Sequence, residues 1–162
     1  MLVIVDMQNR ILDSSDENYI SGAKSLLPRL EKRLLQARKS EEVVLFTRDI
    51  PIEYKNQAEE ITKLQIIRDL APLASEFVFK KNYFTLAPET LLEIGKVVEK
   101  QKSPKEIEVA GAELGICVLA NILALQSVFP AADFYVNPQL VTGNKWNEET
   151  LKILQEFNVN EK

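Results

Sequence analysis

The sequence predicts an α/β fold, a three-layer α/β/α sandwich around a mainly parallel, Rossmann-like sheet. Three observations carry that expectation. Five short apolar runs have the length of strands, and most lack the polar alternate positions that a sheet with one wet face would need. The intervals between them mostly hold helical patterns, which is what parallel neighbours require of their crossovers. A chain of 162 residues, 46% hydrophobic and 27% charged, has room for one sizeable core and little for two, so a single domain over residues 1–162 is expected.

The first strand is LVIV at 2–5. The first crossover helix is expected to start near Pro28, whose fixed φ suits a first turn, and to carry Leu30, Leu34, Leu35 and Ala37 on one side. VVLFT at 43–47 is the second strand, and FVF at 77–79 the third. Between Thr47 and Phe77 runs a charged stretch with weak helical signals and no clear strand; long segments of this kind often carry a site or a lid. A second helix, from about Pro88 to Lys100, places Leu91, Leu92, Ile94, Val97 and Val98 at mainly helical spacing. IEVAG at 107–111 is the fourth strand. The third helix, beginning near Cys117, is apolar on almost every face and is expected to be buried, partly in a contact with a second copy of the chain. DFYVN at 133–137 is the fifth strand, and a last helix over roughly 147–157 uses Leu151, Ile153, Leu154 and Phe157.

Charge and rare residues narrow the function. A net charge of −4 and no basic stripe interleaved with aromatics argue against nucleic acid as a partner. No apolar run approaches the roughly 20 residues that span a bilayer, so no membrane partner is expected and the cytoplasm is the default location. A single cysteine cannot form an internal disulfide. The absence of histidine removes Ser-His-Asp and Cys-His nucleophile arrangements and the usual zinc sites. Any hydrolytic chemistry must find another base.

In open parallel sheets the ligand crevice lies beyond the carboxyl ends of the strands. Asp6 closes the first run, Lys81 follows the third, and Cys117 follows the fourth after the short turn AELGI. Parallel strands bring these ends to one edge. A helix N-terminus and a nearby cation lower a thiol's pKa, so Cys117 beside Lys81 has the makings of a nucleophile. Asp6 would accept its proton and return it to a leaving amine, and backbone N–H groups of the turn would hold an oxyanion. Each residue alone also has an ordinary reading: a cysteine filling core space, an aspartate capping a turn, a lysine in solvent.

Longer stretches decide between these readings. LVIVDMQNRIL resembles the opening strand of the isochorismatase-like cysteine hydrolases, the superfamily that includes nicotinamidases, carbamoylsarcosine amidohydrolases and ureidoacrylate hydrolases. GAKSLLPRLEKRLLQARKSEEVVLFTRD is similar to their first crossover helix and second strand, VFKKNYFTL to their lysine segment, and VAGAELGICVLANILAL to their nucleophile turn. The blocks run in family order from residue 2 to about 125. The resemblance implies that Asp6 is the acid/base, Lys81 the pairing cation and Cys117 the nucleophile. It also implies a non-proline cis peptide between Ala112 and Glu113, with the N–H groups of Glu113 and Cys117 aimed at the oxyanion. Gln8 would help line the pocket.

The pattern breaks in two places. Nicotinamidases of the superfamily bind a metal through an aspartate and histidines after the second strand; TRDIPIEY keeps Asp49 but has Pro51 where the first histidine would stand. Asp49, Glu53, Glu59 and Glu60 are acids of a kind that usually face solvent, so no metal and no cofactor are expected. The aromatic residue that often follows DMQN is absent, and Leu12, Tyr83, Phe84 and Trp146 become the candidate walls. The expectation is a metal-independent hydrolase opening a C–N bond of a small carboxamide or ureido compound, in a chain that self-associates. The alternative is a relative without turnover that binds a small molecule or serves in an assembly.

Overall fold

The computed structural model describes residues 1–101 and 103–162. Its strands are β1 (Leu2–Val5), β2 (Val44–Asp49), β3 (Phe77–Lys81), β4 (Glu106–Ala112), β5 (Asp133–Thr142) and β6 (Val159–Glu161). Its helices are α1 (Ala23–Lys39), α2 (Pro88–Gln101), α3 (Leu119–Val128) and α4 (Asn147–Glu156). The six strands form one sheet in the order β3-β2-β1-β4-β5-β6, and every pairing is parallel. The order reverses between β1 and β4, so the crevice expected of such a sheet opens beyond the ends of those two strands.

Alternate strand residues serve the two faces. Val3, Val5, Leu45, Ile107, Val109 and Val136 pack with Ile94 and Val98 of α2, Ile122 and Leu125 of α3 and Leu154 of α4. On the other face, Leu2, Ile4, Val44 and Phe46 meet Leu26, Leu30 and Leu34 of α1, which recur every four residues and are fully buried. Each such side chain contributes about 2 kcal/mol on leaving water. The result is the three-layer sandwich that the apolar runs imply. Among the described residues, no helix is long and apolar enough to cross a membrane.

Several boundaries differ from expectation, each for a physical reason. Helix α1 begins at Ala23, and Pro28 lies inside it rather than at its first turn. Proline's φ is helical and its missing N–H costs one bond, a loss outweighed by burying Ala23 and Leu26 ahead of it. Leu35 of α1 and Leu92 of α2 face outward, at 47% and 67% exposure. Helix α3 buries Ile122 and Leu125 but leaves Leu119 and Leu123 part-covered, so uniform apolarity does not mean uniform burial. Strand β5 runs five residues further than DFYVN, through Pro138, past a register shift against β4 between Val109 and Gly111. Strand β6 has no periodic signature of its own in the sequence; it is three residues long and pairs with the edge of β5. The segment between β2 and β3 contains only single 3-10 turns and one isolated bridge, Gln8 to Ile66.

Candidate active site

Asp6 leaves β1 in the left-handed region, with φ of 48°, which turns its carboxylate toward β2. Thr47 of β2 secures it twice: the Thr47 hydroxyl donates to Asp6 Oδ1 at 2.7 Å, and the Asp6 N–H donates to Thr47 Oγ1 at 3.2 Å. Lys81 ends β3, paired in register with Asp49, and is 2% exposed. Its Nζ lies 2.7 Å from Asp6 Oδ2, 3.4 Å from Asp49 Oδ1 and 3.6 Å from Cys117 Sγ, and it donates to the Tyr83 carbonyl at 2.9 Å. Asp6, Lys81 and Cys117, delivered by three strands, therefore meet around one ammonium group. Oδ2 of Asp6 is buried and receives no aligned hydrogen bond from a described residue, so it retains an acceptor site despite the ion pair.

The turn that carries Cys117 is built tightly. The Ala112–Glu113 peptide is cis, where the resemblance places one. A π-helical turn over Leu114–Val118 follows, in which the N–H groups of Ile116 and Val118 both donate to the Glu113 carbonyl, at 3.1 and 3.0 Å. The Glu113 N–H itself reaches no acceptor among the described residues. Gly111, which faces Val5 of β1, has φ of +112°, and a Cβ there would collide with the Val5 carbonyl. That close approach of β4 to β1 sets the turn beside Asp6. Asn121, fully buried one helical turn after Cys117, donates to the Cys117 and Phe84 carbonyls at 2.7 and 2.9 Å and accepts from the Leu86 N–H at 3.0 Å. It ties the nucleophile turn to the segment after Lys81.

Electrostatics reverse one expectation. Burial pushes the Cys117 thiol up, the Asp6 charge pushes it further, and Lys81 only partly compensates, leaving it at about 12. Burial also raises Asp6, against the pull of Lys81 and the Thr47 hydroxyl. For Lys81, burial pulls downward but the charges around it, Asp6 foremost, win and raise it. The cation near the thiol is expected to lower its pKa; burial first, and then the carboxylate beside both, outweighs it.

A cavity of about 150 Å³ opens onto this cluster, lined by Asp6, Arg10, Ile11, Tyr19, Asp49, Phe84, Glu113, Ile116, Cys117 and Asn144 among others. Of the expected walls only Phe84 is there. Gln8 is fully buried behind it: its Nε2 donates to the Asp49 and Leu64 carbonyls and its Oε1 accepts from the Asp49 N–H, so it positions Asp49. Leu12 packs into the α1 core, because the 3-10 turn over Asn9–Leu12 gives the pocket Ile11 instead. Tyr83 supplies its carbonyl to Lys81 while its ring, 70% exposed, packs on Phe84. Trp146 adopts a left-handed conformation before α4 and lies outside, against Gly115. A larger hollow of about 660 Å³ lies at the opposite, amino-terminal edge of the sheet, where Arg33 pairs with Glu42 and Glu108 and none of the residues that meet around Lys81 is present.

Sequence reading missed Thr47, Arg10 and Asn121. Thr47 had a signal, since the second strand ends beside the first and an inward hydroxyl there faces Asp6. Arg10 and Asn121 had none, because their burial depends on the irregular segment and on the turn geometry.

Comparison with known proteins places these features in context. A family model described as the isochorismatase domain matches residues 1–126. No curated protein sequence matches the chain. Among solved structures, the pyrazinamidase of Pyrococcus horikoshii in complex with zinc superposes with a TM-score of 0.83 at 14% identity, covering 99% of this chain and 97% of that one. An isochorismatase-like hydrolase from Alkaliphilus metalliredigens gives 0.81 at 15% identity, with 98% and 91% covered. The pyrazinamidase/nicotinamidase of Streptococcus mutans gives 0.79 at 14% identity, with 99% and 98% covered. Identities this low establish a shared fold.

Zinc does not fit the residues present here. Asp49, the one acid that reaches the pocket from the end of β2, is engaged by Arg10 Nη2 at 2.6 Å on Oδ2 and by Lys81 Nζ at 3.4 Å on Oδ1. Two cations on one carboxylate, and no imidazole in the chain, leave a divalent ion without its donors.

Proposed function

The chain belongs to the isochorismatase family, and on that premise we propose that it is a hydrolase opening a C–N bond of a small carboxamide or ureido compound through a thioester on Cys117. The observation that carries this reading is the position of Lys81 Nζ, 2.7 Å from Asp6 Oδ2 and 3.6 Å from Cys117 Sγ. One buried cation serves a base and a nucleophile together. Asp6 takes the thiol proton as Sγ attacks the carbonyl carbon, and the Glu113 and Cys117 N–H groups hold the oxyanion. Protonated Asp6 then gives its proton to the departing ammonia or amine, leaving the thioester. Water, deprotonated by Asp6, attacks the thioester, and the thiol recovers a proton as the acid leaves. The balance is one amide and one water to one acid and one amine.

The test is ammonia release from a panel of small primary amides and ureido compounds, with intact-mass detection of the acyl-enzyme. Release by the wild type, a mass increment on Cys117 and loss of both in Cys117→Ala are the expected results. A Cys117→Ala protein that turns over at the wild-type rate sinks the assignment. A second reading is binding without turnover, for which the lack of any histidine, with Pro51 after the second strand, and the irregular segment between β2 and β3 speak. It predicts that amides which bind raise the melting temperature of the wild type and are recovered unchanged.

A further inference from the structure

Arg10 is the only basic side chain lining the Cys117 cavity among the described residues. It is 6% exposed, and its Nη2 donates to Asp49 Oδ2 at 2.6 Å and lies 3.4 Å from the Asp49 carbonyl oxygen. Nε is sealed from solvent without an acceptor among the described residues, whereas Nη1 bonds to no described residue and is not sealed, so Nη1 is the nitrogen that an acceptor in the cavity can reach. A guanidinium held in place by one carboxylate, with a reachable N–H group that has no protein acceptor, is set to donate to an oxygen brought in from elsewhere. The cavity is where one would enter.

The surrounding charge determines which acceptor fits. Asp49 neutralises Arg10, and Lys81 neutralises Asp6. Two further acids, Glu17 and Glu113, line the same cavity without an ion-pair partner among the described residues. An incoming carboxylate would meet this excess negative charge in a partly dry site; an uncharged oxygen would not. The volume of about 150 Å³ admits only a small molecule.

We infer that Arg10 orients the substrate by donating to an uncharged carbonyl oxygen away from the scissile bond, so that the pocket favours small neutral amides bearing a second carbonyl. The identity of the bond that breaks rests on the hydrolase reading; the binding preference does not. Acetoacetamide, malonamate and isovaleramide share one heavy-atom skeleton and differ only at the far end, as ketone, carboxylate and paired methyl groups. Calorimetric titration of Cys117→Ala, which holds these compounds without turnover, is expected to show acetoacetamide binding about tenfold more tightly than the other two. Adding Arg10→Lys, which keeps a cation on Asp49 but removes the planar donors, is expected to reduce that ratio to about twofold or less. Equal affinities with Arg10 present, a preference for malonamate, no detectable binding of acetoacetamide, or a preference that survives Arg10→Lys overturns the inference. Ammonia release from acetoacetamide by the wild type is measured separately: its absence beside an intact binding preference counts against the hydrolase reading and leaves Arg10 in its role.

Discussion

Lys81 Nζ stands 3.6 Å from Cys117 Sγ, yet the thiol is pushed up to about 12. Burial is the main cause; in addition, the ammonium belongs first to Asp6, at 2.7 Å, and that carboxylate sits close enough to oppose ionisation of the thiol. The resting site therefore stores the proton on sulfur. Catalysis then depends on moving that proton to Asp6, whose own pKa burial has raised, making it a better acceptor than a solvated carboxylate.

Alkylation and hydrolysis should consequently move in opposite directions when Asp6 loses its charge. Asp6→Asn removes a group that raises the thiol, so iodoacetamide should label Cys117 at pH 8 roughly tenfold faster than in the wild type. The same variant should lose hydrolysis by about a hundredfold or more, because no base remains. Lys81→Met removes the one group that lowers the thiol pKa and should slow labelling. Slower labelling in Asp6→Asn would show that the carboxylate activates the thiol at rest.

The same thiol makes stability depend on alkaline pH. Its folded pKa, about 12, lies above the ordinary value of 9.0, so the native state holds this proton more tightly than the unfolded chain. The resulting stability is fully present below about pH 9 and disappears as pH rises through about 12. Lys81, also raised, acts in the same direction above the ordinary lysine range. Melting temperatures from pH 8 to 11 should therefore fall more steeply in the wild type than in Cys117→Ala, and parallel curves would refute the assignment to the thiol.

Thr47 sets how basic Asp6 is. Its hydroxyl donates to Oδ1 at 2.7 Å and so lowers a pKa that burial raises. Thr47→Val keeps the shape and deletes the bond, leaving Oδ1 and the Asp6 N–H without this partner. The acid limb of the kcat/KM profile should shift to higher pH, and stability should drop by about 1 to 2 kcal/mol. A lower kcat with an unmoved acid limb would make Thr47 a packing residue only.

How much of this was legible in the sequence depends on how local the signal was. Strands such as LVIV and helices such as α2, with Ile94 and Val98 on its buried side, announce themselves because burial on one or both faces leaves a periodic trace. Asp6, Lys81 and Cys117 stand out as residues that follow apolar runs, but each alone also has an ordinary reading, and it is the resemblance of the longer stretches around them that singles them out. Pro28 misled because its first-turn preference was outweighed by burial of residues ahead of it. Gln8, which the resemblance of DMQN implies as a pocket wall, has its amide consumed by the Asp49 backbone and Leu64. The guanidinium of Arg10 is invisible to periodicity, since it is the 3-10 turn over Asn9–Leu12 that brings it to Asp49 at the end of β2.

Asn121 shows how such a nonlocal element should reveal itself on mutation. It joins the Cys117 carbonyl, the Phe84 carbonyl and the Leu86 N–H, so a single side chain fixes the nucleophile turn against one wall of the cavity. Asn121→Leu retains helix propensity and volume but leaves three backbone groups without this partner, and should cost about 2 to 4 kcal/mol in urea denaturation. Asn121→Asp preserves the acceptor for Leu86 while presenting charge to two carbonyls, so it should be less stable than the wild type at pH 7 and recover part of the loss at acidic pH, where the carboxyl can donate. Because Phe84 and Cys117 both line the cavity, KM should rise and kcat fall in Asn121→Leu even at temperatures where the protein is fully folded. Wild-type kinetics in a destabilised Asn121→Leu protein would confine the residue to the core.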